Sequence, residues 1–252
     1  MRKSSRKSHA SGPYVREVVL RREIVPSFED YPFALPVVRA LDRLPLDPRV
    51  TFLLGENGAG KSTLLEAIAV AVGLNPEGGS RNLRFKTRPS HSVLWEYLRI
   101  VRGPSRPADS FFVRSETLYT LATALEDPSL GGVLQHYGDK PLHERSRGEA
   151  LMATVTNRLS RGLYLFDEPE AGLSPTRQLA FLAAMHQLLQ RGSQLILATH
   201  SPILLAYPAA CIYELAKEGI VKRAYEETEH YRITSDFFAH RAAMLKELLS
   251  DD

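Results

Sequence analysis

Three short stretches of the chain carry residue types suited to phosphate chemistry, and each follows an apolar run. The first is RVTFLLGENGAGKSTLLEAIAVAV, residues 49–72, which fits G-x-x-x-x-G-K-S/T through Gly55, Gly60, Lys61 and Ser62. A strand, a glycine-rich turn and a helix in that order let backbone N–H groups wrap around nucleotide phosphates. Here those groups belong to Gly55, Glu56, Asn57, Gly58, Ala59 and Gly60, then to Lys61, Ser62 and Thr63 of the helix. Lys61 would reach the β- and γ-phosphates, and the Ser62 hydroxyl would ligate Mg²⁺. Gly58 and Gly60 leave room for close backbone approach. The pattern implies binding of ATP or GTP.

The second stretch is LYLFDEPEAGLSP, residues 163–175. Four apolar residues deliver Asp167 and Glu168 to the C-terminal edge of a sheet, beside the phosphate loop. Asp167 would hold Mg²⁺ through water, and Glu168 is placed to orient and deprotonate an attacking water. The third is QLILATHSP, residues 194–202, which ends a further buried strand at Thr199-His200-Ser201. There His200 could sense the γ-phosphate and help position the water. A paired acid or a single histidine after a strand is by itself an ordinary structural feature. Following a phosphate loop, each reads as part of a site.

Strands alternating with helices must position these groups, which implies an α/β fold with a mainly parallel sheet. The expected strands are 14–25, 49–54, 93–101, 111–114, 163–166 and 194–199, then segments around 210–215 and 219–225. The expected helices are 61–72, a segment near 116–125, 148–160, 175–190, a short one at 202–207 and a last one at 236–249. Residues 27–48 are proline-rich and read as irregular, and 127–147 read as loop. Residues 13–252 are expected to form one domain, with an inserted subdomain over about 75–147.

Composition fits a globular chain: of 252 residues, 44% are hydrophobic and 24% charged. No apolar run reaches the roughly 18–20 residues that span a bilayer. The lone Cys211 has no internal disulfide partner, which agrees with a cytoplasmic location. The net charge of +3 arises in the first twelve residues, a tail with four cations and no acid that reads as disordered; the body is close to neutral.

GENGAGKST, SRGEAL, LFDEPEAGLSP and ATHSP occur in that order and resemble the motifs of the ABC-type ATPase superfamily. The likeness is greatest to the small "predicted ATPase" proteins of the AAA family that are related to the SMC, Rad50 and RecF group. The resemblance implies a P-loop NTPase fold with antiparallel β and helical subdomains, ATP and Mg²⁺ as ligands, and an ATP-dependent homodimer. It also implies that Ser146, Arg147, Gly148 and Glu149 form the signature that meets the γ-phosphate of the opposite subunit. Ala171-Gly172-Leu173-Ser174 would be the loop crossing between subunits. Arg147 departs from the paired glycines of that signature. The superfamily usually carries a glutamine between residues 63 and 134, and none occurs there. Glu116 and His91 are the substitutes considered.

Two surface readings stay open. In the cluster Arg81, Arg84, Lys86 and Arg88, a strand would place several cations on one face, where they could meet a nucleic-acid backbone or simply charge an edge strand. Tyr31 or Phe33 could stack on adenine or pack into the core. The leading expectation is therefore an ATP-hydrolysing switch acting on DNA or a partner protein, in settings such as repair or phage defence. The alternative is the nucleotide-binding subunit of an ABC transporter.

Overall fold

Apolar runs become central strands here because both faces of the sheet are covered, so no position along a strand needs to be polar. The computed structural model describes residues 13–80, 92–115, 144–216 and 219–250. Its strands are β1 (Val15–Leu20), β2 (Arg43–Pro45), β3 (Val50–Gly55), β4 (Gly79–Ser80), β5 (Leu98–Arg102), β6 (Asp109–Arg114), β7 (Gly162–Asp167), β8 (Gln194–Ala198), β9 (Cys211–Ala216) and β10 (Gly219–Arg223). Its helices are α1 (Pro36–Ala40), α2 (Lys61–Val72), α3 (Arg147–Ala153), α4 (Pro175–Gln190), α5 (Pro202–Leu205) and α6 (Glu229–Leu248). Helix α3 runs on into a π turn at Thr154–Arg158.

Seven strands form the main sheet in the order β10-β9-β3-β8-β7-β6-β4. Strands β9, β3, β8, β7 and β6 are parallel, and β10 and β4 close the edges antiparallel. Side chains alternate between two cores. Phe52, Leu54, Tyr164 and Phe166 face the layer that holds α3, α4 and α5. Leu53, Leu163, Leu165 and Ile196 face α2 and the small antiparallel sheet β2-β1-β5. Because the five central strands are parallel, the chain leaves β3, β6, β7, β8 and β9 at one common edge. The phosphate loop, Arg114, Asp167-Glu168 and Thr199-His200 gather there.

Gln194 joins the two sheets. Its buried amide accepts from Val15 N at 2.9 Å and donates to Val15 O at 2.7 Å and Asp47 O at 2.9 Å. Gln194→Leu would fill the space but leave a buried N–H and two carbonyls unpaired. We expect it to lower stability by about 3 kcal/mol, read as a lower urea midpoint with an unchanged slope.

Several expectations are corrected. Residues 93–97 form a 3₁₀ turn, because the Ser92 hydroxyl accepts from Leu94 N and caps it; the strand starts only at Leu98. The strand expected over 14–25 ends at Leu20 and is followed by a 3₁₀ turn. The proline-rich 27–48 segment holds α1 and β2 rather than being wholly irregular. The last helix begins at Glu229, seven residues before the expected start, where Thr228 supplies the cap. Phe33 is buried edge-on to Tyr97 at 4.7 Å, whereas Tyr31 is exposed. Strand β6 falls inside the expected insertion yet belongs to the main sheet. His91, Glu116, the Arg81–Arg88 cluster, the 116–125 helix and the basic tail lie outside the described residues.

Candidate active site

The phosphate loop leaves β3 at Gly55 and turns into α2 at Gly60, with Gly58 and Gly60 at φ +82° and +93°. These left-handed values suit glycine, and a Cβ on Gly60 would stand 2.6 Å from Val37 Cγ1. No side chain caps α2, so the positive end of its dipole is available to an anion. Lys61 is 4% exposed, and its Nζ donates to Gly55 O at 2.8 Å and Glu56 O at 2.9 Å. Burial pulls its pKa below the usual lysine value, while Glu168, Asp167 and Glu170 pull it back up.

Ser62 Oγ donates to Asp167 Oδ1 at 2.8 Å, which joins the start of α2 to the end of β7. Two hard oxygen donors are thus adjacent, a set that suits Mg²⁺. No cluster of three His, Cys, Asp or Glu ligands occurs among the described residues. Arg114, at the end of β6, bonds Glu66 Oε2 through Nη1 at 2.6 Å, and its Nε lies 3.6 Å from Asp167 Oδ2. A cation therefore sits beside Asp167.

Glu168 has φ +47°, an uncommon value for a side-chain-bearing residue. It is held there by its own N–H on Ala198 O at 2.9 Å and by Ser115 Oγ donating to its carbonyl at 2.6 Å. Its half-exposed carboxylate faces His200 Nε2 at 3.6 Å. His200 N donates to Glu170 Oε1 at 2.5 Å. Glu170 is largely buried, which pushes its carboxyl above the usual range. His200 is pulled below its ordinary value by burial, then by Lys61. The two groups therefore move toward their neutral forms.

Five buried side-chain polar atoms among the described residues lack a hydrogen-bond partner. Four of them, Arg114 Nε, Glu170 Oε2, His200 Nε2 and His230 Nδ1, sit at this sheet edge. Such atoms gather where a polar ligand or water completes the bonding. A cleft of about 640 Å³ opens over the loop, lined by Asn57, Gly58, Leu215, Arg223, His230 and Arg232 among others.

The expected signature lies elsewhere. Ser146 caps α3 in a reciprocal box with Glu149, and Arg177 of α4 bonds Ser146 Oγ at 3.3 Å and Glu149 Oε1 at 3.0 Å. The Ser146 backbone and hydroxyl, then Arg177, hold the Glu149 carboxyl at about 2. The box is therefore intact at neutral pH and loosens only as pH falls below the ordinary carboxylate range toward that value. Gly148 packs on Gly172 and Leu173 of the loop after β7, so close that a Cβ would stand 2.6 Å from Gly172 O. No hydrogen bond or ion pair among the described residues links Ser146–Glu149 with Gly55–Thr63.

Sequence reasoning missed Glu170, Arg114 and His230. Glu170 had a signal, standing two residues beyond Glu168 across Pro169, but Arg114 and His230 reach the edge only through the fold.

A parallel sheet that brings a phosphate loop, a strand-end acid pair and a following histidine to one edge defines a P-loop nucleoside-triphosphatase domain of the ABC type. Matches to known proteins support assigning the chain to the ABC-type/AAA ATPase superfamily, in which nucleotide binding is the shared role. A family described as "AAA domain, putative AbiEii toxin, Type IV TA system" matches residues 118–206, and one described as "AAA domain" matches residues 33–95. The cobalt import ATP-binding protein CbiO of Salmonella typhimurium is 24% identical over 204 residues, covering 74% of this chain and 74% of its own length. A "Putative ABC transporter ATP-binding protein" of Methanothermobacter marburgensis is 24% identical over 257 residues, covering 88% of this chain and 87% of itself. The SMC head domain from Thermotoga maritima, a solved structure, is 14% identical and covers 83% of this chain and 99% of its own, with a TM-score of 0.47. No helix among the described residues is long and apolar enough to cross a membrane.

Proposed function

We propose that the protein is an ATP-hydrolysing switch in which two copies clamp ATP between the Lys61 loop of one and the Ser146 helix of the other. The observation that carries this reading is the Ser62–Asp167 contact with Glu168 and His200 on the same sheet edge. In the reaction, Glu168 orients water and accepts its proton as the water oxygen bonds the γ-phosphorus; ADP departs with the bridging oxygen and its electron pair. Lys61 and His200 meet the charge that develops on the transferred phosphoryl group. Ser62 and Asp167 would hold Mg²⁺, which neutralises phosphate charge when bound. The signature supports a site completed in trans, since Ser146 and Gly148 bond and pack within the α3–α4 corner of their own chain.

The switch would act on DNA or a partner protein. A second reading, the ATP-binding subunit of a transporter, is favoured by the relatives, which are ATP-binding proteins of transporters. Steady-state hydrolysis against protein concentration, with and without double-stranded DNA, separates these. Specific activity that rises with concentration and with DNA supports the switch. Activity that ignores both points to a different engine or to a missing protein partner. Ser146→Arg is expected to lower turnover by roughly a hundredfold while ATP still binds the monomer. Unchanged turnover in that variant would remove the trans site.

A further inference from the structure

His230 belongs to no part of the site expected from sequence, yet it touches the one histidine that is. It lies in the first turn of α6, and its Nε2 is 3.4 Å from His200 Nδ1, with the rings tilted at 38° and centroids 5.6 Å apart. The contact is built rather than incidental. The Thr228 hydroxyl caps α6 by accepting from Tyr231 N and donates to Tyr225 O at 2.7 Å. The Tyr225 hydroxyl in turn donates to Pro202 O at 2.9 Å, two residues beyond His200. Tyr231 packs on Tyr225 with centroids 4.7 Å apart. The start of α6 is thus pinned to the turn that carries His200, and Thr228 is fully buried at the joint.

A neutral imidazole has one N–H and one lone pair, so two rings meeting nitrogen to nitrogen must choose a direction. If His200 Nδ1 donated, its Nε2 would turn a bare lone pair toward the Glu168 carboxylate 3.6 Å away. If His230 Nε2 donates instead, His200 Nε2 carries the proton and meets that carboxylate with an N–H. The second arrangement is electrostatically favoured. It also leaves His200 with a donor, where a lone pair would repel a phosphoryl oxygen. Burial and the Lys61 charge hold His200 toward its neutral form, in which the position of its single proton matters.

We propose that His230 is a positioning residue that fixes His200 in the Nε2–H tautomer, so that this nitrogen is a donor at the reacting phosphate. The consequence for turnover rests on the hydrolytic reading above, but the tautomer itself does not. The experiment is ¹⁵N NMR of histidine-labelled full-length protein without nucleotide, combined with ATPase kinetics of the intact protein and of His230→Phe and His230→Gln. In the native protein His200 should show a protonated Nε2 and a lone pair on Nδ1. His230→Phe should give a mixture of tautomers and a kcat lower by about ten- to a hundredfold, with KM within about twofold. His230→Gln, whose amide N–H can donate to the same nitrogen, should restore the native tautomer and most of kcat. A native His200 protonated on Nδ1, or a His230→Phe protein with the native tautomer, overturns the proposal. So does equal loss of kcat in both variants. A native protein that hydrolyses no ATP would instead sink the hydrolytic reading, while the NMR result still decides the role of His230.

Discussion

Glu168→Gln should retain bound ATP, accumulate as a dimer in its presence, and turn over at roughly a thousandth of the native rate. The substitution keeps the size of the side chain and removes its ability to accept a proton. Backbone strain at φ +47° is held by the Ala198 carbonyl and the Ser115 hydroxyl, which the change does not touch. The variant should therefore melt within a few degrees of the native protein. Its ATP affinity should be unchanged or tighter, since a carboxylate facing the phosphates has been neutralised. Light scattering with and without ATP reads the dimer, and a single-turnover assay reads the chemistry. Fast hydrolysis by this variant would move the base to another acid. Glu170 is the neighbour to test, although burial and the His200 N–H contact suit it better to holding the histidine turn than to meeting water.

The parts of the fold that could be read in advance are those where local chemistry and tertiary position agree. Helix α2 lies between Gly60 and Gly73, both left-handed, and α4 opens on the Ser174 cap and Pro175, so both ends are written locally. Strands β3, β7 and β8 are short, mainly apolar runs buried on both faces, which sequence shows as concentrated rather than alternating hydrophobicity. Residues 93–97 misled because VLWEY has strand-like composition, while Ser92 caps a tight turn there. The start of α6 was hidden because Ile233 and Thr234 are β-branched and weaken its helical signal, and Thr228 is a cap only once Tyr225 has anchored it. The site divides in the same way. Gly55–Thr63, Asp167-Glu168 and His200 each stand at the end of an apolar strand, which is what makes them legible in the sequence. Arg114 carries no local pattern, and it reaches Asp167 only because β6 pairs in parallel with β7. His230 is thirty residues from the ring it touches and is invisible until α6 folds back on the Pro202 turn.

Lys61→Ala should abolish measurable ATP binding, raising Kd by at least about a hundredfold, with loss of all turnover. Lys61 bridges Gly55 O and Glu56 O, so it also closes the loop on itself. The substitution leaves two carbonyls without their donor. Because Glu56 is at the exposed tip, water can replace part of that bonding, and the stability lost should be only about 1 kcal/mol. The two effects separate in one experiment, thermal melting with and without Mg²⁺-ATP. A ligand at a hundred times its Kd stabilises the native protein by about 2.7 kcal/mol, whereas the variant should gain nothing. Lys61→Arg sharpens the test. It retains a cation, but its planar fork cannot occupy the space where a compact ammonium, 4% exposed, fits between two carbonyls. Weak binding in Lys61→Arg would show that the fit of the group matters as well as its charge. Native affinity in Lys61→Ala would mean that the backbone amides of Gly58–Thr63 hold the phosphates alone, and the assignment of Lys61 to the β- and γ-phosphates would have to be abandoned.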